Sequence, residues 1–235
     1  MQYSIFLIDL DHTLFDSDAS ESAALRLAMS IAGIAEADDY AADFRRINLG
    51  LWAIVEQGEM TPQQVRTLRF ERLIQERGID ADPHAMSDAY VLGLGANGDL
   101  YSGVLDVLEN LSRHASLSLL TIGLSEVQRT SVERTGIAGY FDSIVISAEV
   151  GVAKPHTRIF DIAFGQLGSP RKETALMVGD SLSSDIQGGT NYGVATCWYN
   201  PNRKVAGPGD NISHEIRGLD ELHAYVDAHS EEGSS

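Results

Sequence analysis

The chain has little of what marks secreted, membrane-spanning and disulfide-linked proteins. Its 235 residues include a single cysteine, Cys197, which excludes an internal disulfide and favours a reducing compartment, so we expect a cytoplasmic protein. No apolar run approaches the roughly 20 residues that a membrane-spanning helix needs. The apolar run near the N-terminus has no basic segment before it and is interrupted by Asp9. We therefore expect neither a secretory signal nor a membrane partner.

Positive charge is also scarce. The formal net charge of −17 argues against DNA or RNA as a partner, because a long polyanion would be repelled. A small phosphorylated ligand stays compatible with this charge, because a bound cation and a nearby lysine reverse the field locally. The seven histidines show no metal-ligand spacing. What remains is a globular chain with 43% hydrophobic residues, long enough to bury a full core.

The segment Ser4–Asp16, SIFLIDLDHTLFD, organises the rest of the chain. Four apolar residues, Ile5–Ile8, predict a strand that is buried on both faces and ends at Asp9. Residues two apart in extended backbone point the same way, so Asp9 and Asp11 are expected to share one small space. Two close carboxylates raise the pKa of one of them unless a cation lies between them. The pair suits a metal-assisted nucleophile with a proton-transferring neighbour, and a solvated turn is the alternative.

Residues 17–95 show helical spacing of apolar residues without an intervening strand. A capping residue followed by proline marks two of the helix starts, at Thr61 and Asp82. The predicted helices are Ser17–Gly33, Tyr40–Gln57 with a candidate break near Gly50, Thr61–Gly78 and Asp82–Leu92. The glycine-rich stretch Gly93–Leu100 is expected to be the linker that returns to the core. We therefore predict a helical domain of residues 17–95 inserted into a core of residues 1–16 and 96–235.

Strand-like and helix-like segments alternate in the rest of the chain. The predicted strands are Leu117–Ile122, Ser143–Ser147, Ala175–Val178 and Val194–Trp198. The predicted helices are Ser102–His114, Ser125–Thr135, His156–Leu167, Asp185–Tyr192 and Leu219–Ala228. The final SEEGSS is expected to be disordered. This alternation predicts an α/β fold with a doubly wound parallel sheet.

Polar residues collect at the ends of the predicted strands. Because the carboxyl ends of parallel strands lie along one edge of a sheet, we expect these residues to form one site. They are Asp9 and Asp11 after the first strand, Thr121 at the end of the second, Lys154 after the third, and Asp180 and Asp185 after the fourth. Taken singly, each has a simpler interpretation as a turn former, a helix cap or a surface lysine.

The charges at this edge predict a cation. Four carboxylates against one lysine would repel a phosphate, and a divalent cation with oxygen ligands removes that repulsion. Mg²⁺ suits such a site because it takes few carboxylates and keeps waters or phosphate oxygens as its other ligands. Thr121 would donate a hydrogen bond to a phosphate oxygen, and Lys154 would hold another as a point charge.

The motifs DLDHT, a threonine at the second strand end, KP and GDSLSSD resemble those of the haloacid-dehalogenase (HAD) superfamily of phosphohydrolases. The helical insertion after the first motif resembles the helical cap of that superfamily. Within it, ERTGIAGYFDSIVISAEVGVAKPHTRIFD, LMVGD, DIQGG, ATCWYN and LWAIVEQGEMT resemble the house-cleaning pyrimidine 5′-nucleotidases. One departure is the second motif, often Thr-Asn-Gly, which here has Ile122 in place of asparagine and so lacks a side-chain amide.

The resemblance implies a phosphomonoester hydrolase that forms an aspartyl-phosphate on Asp9, with Asp11 as the proton donor and acceptor. It implies Mg²⁺ bound by Asp9, the main-chain carbonyl of Asp11 and Asp180, with Asp185 as a further ligand or supporting partner. The substrate would be a small phosphorylated metabolite, a pyrimidine nucleoside 5′-monophosphate. Candidate contacts in the cap are Asn48, Trp52 and Arg69. The alternatives are a core position for Trp52 and a salt-bridged helix surface for Arg69.

Other functions remain as alternatives. A sugar-phosphate phosphatase or phosphomutase of the same fold also keeps an acid at the position of Asp11. A haloacid dehalogenase would lack that acid and need no metal. A receiver-type signalling module also phosphorylates an aspartate beside Mg²⁺, but its acidic pair usually precedes a nucleophile on a later strand and no helical domain intervenes. The chain is expected to be a monomer or a homodimer.

Overall fold

The computed structural model describes residues 2–226, which contain a six-stranded parallel sheet in the order β3-β2-β1-β4-β5-β6. The strands are β1 (Ile5–Ile8), β2 (Ser116–Thr121), β3 (Ser143–Ile146), β4 (Ala175–Gly179), β5 (Ala195–Tyr199) and β6 (His214–Ile216). The α-helices are α1 (Ser17–Ile31), α2 (Asp38–Glu56), α3 (Pro62–Arg77), α4 (Pro83–Ala96), α5 (Val104–His114), α6 (Ser125–Thr135), α7 (Ser147–Val150), α8 (Thr157–Gln166) and α9 (Gln187–Tyr192). A π-helical turn covers Leu182–Ile186, and 3₁₀ turns cover Ile137–Tyr140, Lys172–Thr174 and Leu219–Tyr225.

Strand β1 lies at the centre of the sheet and is buried along its whole length. Phe6 and Ile8 belong to the apolar cluster on one face, whereas Ile5 and Leu7 belong to the cluster on the other. Since both faces are covered, the apolar run does not alternate with polar residues. The predicted α/β fold with a doubly wound parallel sheet is confirmed. Strand β1 pairs with β2 on one side and with β4 on the other, so the strand order reverses at β1. Such a reversal opens a crevice at the carboxyl ends of the strands.

Helices α1 to α4 lie between β1 and β2 in the sequence, and we call residues 17–96 the helical insertion. Its buried apolar residues form one cluster, which also includes Ala153 from outside the insertion. The predicted starts are confirmed at Thr61, which forms a capping box with Gln64, and at Asp82, whose carboxylate accepts from the amide of His84. The division of the chain into a core and a cap domain stays a prediction.

Two predictions about glycines in the insertion are wrong. Helix α2 continues through Gly50, because its buried face outweighs the roughly 1 kcal/mol that a helical glycine costs. Helix α4 runs to Ala96, so Gly93 is helical and the expected linker is shorter. A Cβ on Gly93 would lie 2.6 Å from the Cα of Ala24, so this glycine allows α1 and α4 to approach closely. The first part of this glycine-rich stretch therefore belongs to a packed helix and not to a linker.

Smaller differences concern the C-terminal third. The short edge strand β6 was not predicted, because three residues that include His214 and Glu215 show no apolar alternation. The expected helix from Asp185 starts earlier, as the π turn over Leu182–Ile186 followed by α9. The expected last helix is a 3₁₀ turn over Leu219–Tyr225, and Ala228 and the SEEGSS tail lie outside the described residues. Within residues 2–226, no helix combines the length and the apolarity needed to cross a membrane.

Candidate active site

Lys154 connects the ends of β1 and β2 with the π turn that follows β4. Its Nζ donates to Asp9 Oδ1 at 2.6 Å, to the carbonyl oxygen of Leu120 at 2.6 Å and to Asp185 Oδ1 at 2.7 Å. Lys154 and Asp185 are fully buried and Asp9 is nearly so. The three N–H donors of the ammonium are therefore engaged by protein oxygens. The predicted contact between Lys154 and a phosphate stays a prediction.

Three carboxylates meet beside this lysine. One oxygen each from Asp9, Asp180 and Asp185 lies within 4.8 Å of the other two. Asp185 is oriented by the amide of Ser181, which donates to its Oδ2 at 3.0 Å. A Cβ on Gly179 would lie 2.2 Å from that same oxygen, so glycine at the end of β4 makes room for the Asp185 carboxylate.

The electrostatics of this cluster fit a cation. Burial raises the pKa of Asp9 to about 6 and that of Asp185 to about 7, although Lys154 opposes both shifts. Burial, together with the charge of Asp185, raises the pKa of Asp180 to about 6. For Lys154 burial alone would lower the pKa, but Asp185 and Asp9 hold it above its usual value. Crowded, acceptor-only oxygens of this kind match the ligands that Mg²⁺ prefers.

Asp11 lies outside the carboxylate cluster and has different partners. Its Oδ1 accepts from Ser17 Oγ at 2.5 Å, and its Oδ2 accepts from Gln128 Nε2 at 2.7 Å. Gln128 was not predicted, because it lies 117 positions away on α6 and no sequence signal connects it to Asp11. A Cβ on Gly123 would lie 2.2 Å from Gln128 Nε2, so the glycine after Ile122 makes room for this amide.

Thr121 is fully buried at the end of β2. Its Oγ1 has no hydrogen-bond partner among the described residues. Leaving a buried hydroxyl unpaired costs about 1–3 kcal/mol, so such a group is often kept for a ligand. The next two residues, Ile122 and Gly123, line the cavity at the sheet edge.

A cavity of about 300 Å³ separates the sheet edge from the helical insertion. Eight of the nine predicted site residues line it, and Thr121 is the exception. The sheet edge, the loops beside it and α6 contribute Asp9, Asp11, Gln128, Lys154, Asp180 and Asp185, and the insertion contributes Glu21, Asn48, Trp52 and Arg69. The cavity volume lies at the lower end of the range that is common for small-molecule sites.

The three predicted substrate contacts differ in their surroundings. Arg69 is 1% exposed, so the alternative of a salt-bridged surface position is wrong. Its Nη1 donates to Asn48 Oδ1 at 3.3 Å, and its guanidinium lies 4.3 Å from the centroid of the Tyr90 ring. Trp52 is partly exposed, packs against the apolar cluster of the insertion and also lines the cavity.

Replacing Lys154 by methionine is expected to lower the free energy of unfolding by about 3–5 kcal/mol, because Asp9 and Asp185 lose their buried partner. Urea unfolding in the presence of a chelator measures this change. Adding Asp185→Asn to the Lys154→Met variant is expected to recover part of the loss, since it removes an uncompensated buried charge. Lys204→Met, at an exposed lysine, is the control and is expected to change stability by less than about 0.5 kcal/mol. Equal losses in both lysine variants would contradict the prediction.

Comparisons with known proteins agree with this geometry. A family model described as haloacid dehalogenase-like hydrolase matches residues 6–199. The chain is 35% identical over 222 residues to the putative HAD-hydrolase YfnB of Bacillus subtilis, covering 94% of each chain. It is 33% identical to the pyrimidine 5′-nucleotidase YjjG of Escherichia coli over 97% of this chain and 100% of that protein, and 34% identical to the pyrimidine 5′-nucleotidase PynA of Streptococcus pneumoniae over 86% of each.

A solved structure supports the same relationship. The crystal structure of YfnB from Bacillus subtilis bound to magnesium superposes with a TM-score of 0.87 at 34% identity. The match covers 95% of this chain and 98% of that chain.

Proposed function

This chain belongs to the haloacid dehalogenase-like hydrolase family, and from that premise we propose that it is a Mg²⁺-dependent phosphatase of pyrimidine nucleoside 5′-monophosphates. The observation that carries the proposal is the cavity that joins Asp9 and Asp11 to Trp52 and Arg69. One end of this space has the carboxylates that phosphoryl transfer needs, and the other has an aromatic and a cationic side chain for a base. Two relatives that align over most of this chain are pyrimidine 5′-nucleotidases, which supports the substrate class.

Asp9 is the proposed nucleophile. Its carboxylate attacks phosphorus in line, the ester oxygen leaves with a proton from Asp11, and an aspartyl-phosphate forms on Asp9. Asp11, now ionised, then takes a proton from water, whose oxygen attacks phosphorus and releases inorganic phosphate and the Asp9 carboxylate. Ser17 and Gln128, which donate to the two oxygens of Asp11, orient it for both proton transfers.

Asp9, Asp180 and the main-chain carbonyl of Asp11 would hold Mg²⁺, with Asp185 as a further ligand or as the partner that orients Lys154. The mutual distances and raised pKa values of Asp9, Asp180 and Asp185 support this set. When bound, the cation neutralises the carboxylates and the phosphoryl oxygens, and such charge neutralisation and positioning supply most of the acceleration in phosphoryl transfer. Thr121, with its unpaired hydroxyl, is the proposed donor to a phosphoryl oxygen.

Trp52 is the proposed stacking surface for the base, because it lines the cavity on α2 while its inner side packs against the insertion. Stacking of a base on an aromatic ring contributes roughly 1–3 kcal/mol. It tolerates substituents at the base edge, which suits an enzyme that also accepts modified pyrimidines. A cytoplasmic location and a monomeric or homodimeric state stay predictions.

A panel of nucleoside monophosphates and sugar phosphates assayed with Mg²⁺ tests the proposal. The highest kcat/KM is expected for uridine or thymidine 5′-monophosphate. Trp52→Ala is expected to raise KM for these nucleotides by about tenfold to a hundredfold, the equivalent of the stacking energy, while p-nitrophenyl phosphate, which has no base, is hardly affected. Leu49→Ala is the matched control, because Leu49 lies on the same helix and lines the same cavity.

The two parts of the proposal fail in different ways. Equal losses on the nucleotide and on p-nitrophenyl phosphate would mean that Trp52 supports the fold only. A sugar phosphate with a higher kcat/KM than every pyrimidine nucleotide would overturn the nucleotidase proposal and leave the phosphatase intact.

A further inference from the structure

A chain of polar side chains crosses the wall of the cavity in the helical insertion. Asn48, 2% exposed on α2, is its middle member. Its Nδ2 donates to Glu21 Oε1 on α1 at 3.2 Å, and its Oδ1 accepts from Arg69 Nη1 on α3 at 3.3 Å. Glu21, Asn48 and Arg69 all line the cavity. The sequence indicated Asn48 and Arg69 but not Glu21.

Arg69 has an unused donor. Its Nε donates to the carbonyl oxygen of Arg66, its Nη1 donates to Asn48, and the Tyr90 ring lies against the guanidinium. Its Nη2 is buried and has no hydrogen-bond partner among the described residues. A buried guanidinium nitrogen without an acceptor is costly, so the two N–H groups of Nη2 are available to a ligand acceptor.

Glu21 has unused acceptor capacity. Asn48 is its only hydrogen-bond partner in the described part of the chain, which leaves one carboxylate oxygen without a donor. Burial raises the pKa of Glu21, as expected for a carboxylate that has lost water and gained few donors, although His12 and Arg69 oppose the shift. The cavity wall therefore offers the N–H groups of Arg69 Nη2 as free donors and one carboxylate oxygen of Glu21 as a free acceptor.

The Asn48 amide is an internal example of a group that these two side chains bind together. Its carbonyl oxygen lies on the arginine and its N–H group lies on the glutamate, so Glu21 and Arg69 together bind the C=O and N–H of one amide. The imide edge of uracil and thymine carries the same two groups side by side, at C4=O and N3–H. Cytosine has an unprotonated N3 between its amino group and O2, so it presents an acceptor where the imide presents its N–H donor.

We propose that Glu21 and Arg69 bind the imide edge of the base, with Glu21 accepting a hydrogen bond from N3–H and Arg69 Nη2 donating one to a ring carbonyl oxygen. This inference rests on the proposed nucleotidase function and deepens it, since it selects uracil-type and thymine-type bases over cytosine. Asn48 is a positioning residue, because its amide hydrogen-bonds both side chains and so fixes the orientation of the Glu21 carboxylate and the Arg69 guanidinium.

Substrates altered at one atom test the proposal on the unmodified enzyme. Uridine 5′-monophosphate is compared with its 3-methyl derivative, which lacks the N3–H, and with cytidine 5′-monophosphate. A hydrogen bond to a charged group contributes about 1.5–3 kcal/mol, so kcat/KM is expected to fall by roughly 10-fold to 150-fold for the 3-methyl compound. Equal kcat/KM values for the two uridine compounds would overturn the proposal without any variant.

Glu21→Gln and Glu21→Ala then test whether Glu21 is the acceptor. Both are expected to reduce the preference for uridine over 3-methyluridine monophosphate to less than about threefold. Glu21→Gln is also expected to narrow the gap to the cytidine compound, because its amide offers an N–H to the unprotonated N3. Asp18→Asn is the control, as Asp18 lies three residues earlier on the same helix, lines the same cavity and pairs with Arg45.

Hydrolysis of p-nitrophenyl phosphate separates the possible failures. In the Asp18→Asn control it is expected to stay within about threefold of the parent value, and its persistence in the Glu21 variants shows that their fold and phosphoryl site are intact. A preference for uridine over 3-methyluridine monophosphate that survives in both Glu21 variants would show that Glu21 does not bind the imide edge, and the nucleotidase function would stand. If the enzyme hydrolyses p-nitrophenyl phosphate but no nucleotide, the proposed nucleotidase function is wrong, and so is the proposed binding of the imide edge.

Discussion

Replacement of Asp9 by asparagine is expected to remove essentially all phosphatase activity. An amide at this position is a poor nucleophile and forms no acyl-phosphate, so the proposed reaction stops at its first step. The substitution keeps the size of the side chain, and the asparagine oxygen can still accept from Lys154, which donates to Asp9 Oδ1 at 2.6 Å. Steady-state hydrolysis of p-nitrophenyl phosphate with saturating Mg²⁺ measures the loss, and circular dichroism checks the fold.

Asp16→Asn is the matched control for this experiment. Asp16 belongs to the same segment and caps α1 by accepting from the amide of Ala19 at 3.1 Å. Asparagine caps helices as well as aspartate does, so this variant is expected to keep kcat within a few-fold of the parent value. An Asp9→Asn enzyme with a near-normal kcat would show that another group attacks phosphorus.

The placement of the proposed catalytic groups was predictable because it depends on strand topology. An apolar run followed by Asp9, and a second followed by Gly179 and Asp180, locate two strand ends, and parallel pairing of β1 with β4 puts both on one edge. Lys154 was predictable as a member of the site but not in its contacts. That its ammonium is shared by Asp9, Asp185 and a carbonyl oxygen depends on packing over more than 30 residues of separation.

The side chains that support the site were not predictable, because their contacts also depend on packing between residues distant in sequence. Gln128 reaches Asp11 from the inner face of α6, and glutamine on a helix is ordinarily a surface residue. Glu21 lies on α1 among other acidic residues, and only the approach of α2 shows that it accepts from Asn48. Helical periodicity predicts which face is buried. It does not predict which polar side chains of neighbouring helices meet.

The sequence does not show which glycines serve packing. The prediction of a linker that starts at Gly93 is wrong, because Gly93 lies within α4, where a Cβ would meet Ala24. Gly123 leaves space for the side chain of Gln128, and Gly179 leaves space for that of Asp185. The space beside a glycine depends on residues distant in sequence, so composition alone does not distinguish these uses.

Removal of divalent metal by EDTA is expected to abolish turnover, and Mg²⁺ is expected to restore it. Asp9, Asp180 and Asp185 carry three carboxylates within 4.8 Å, and Lys154 compensates for only one of them. A dianionic phosphoryl group would meet strong repulsion in that space without a further positive charge. In buffer, Mg²⁺ is also expected to raise the melting temperature, because it binds the folded chain only.

The Asp180→Asn variant tests whether the predicted carboxylates bind the required divalent metal. Asp180 is only partly buried and makes no side-chain hydrogen bond among the described residues, so its carboxylate is available to a cation. The variant is expected to need roughly 10-fold to 100-fold more Mg²⁺ for half-maximal activity. It is also expected to lose most of the Mg²⁺-dependent rise in melting temperature. Asp88→Asn, at an exposed aspartate of α4 that pairs with Arg66, is the control and should titrate like the parent enzyme. Full activity in chelator, or an unchanged Mg²⁺ titration in Asp180→Asn, would show that these carboxylates do not form the metal site.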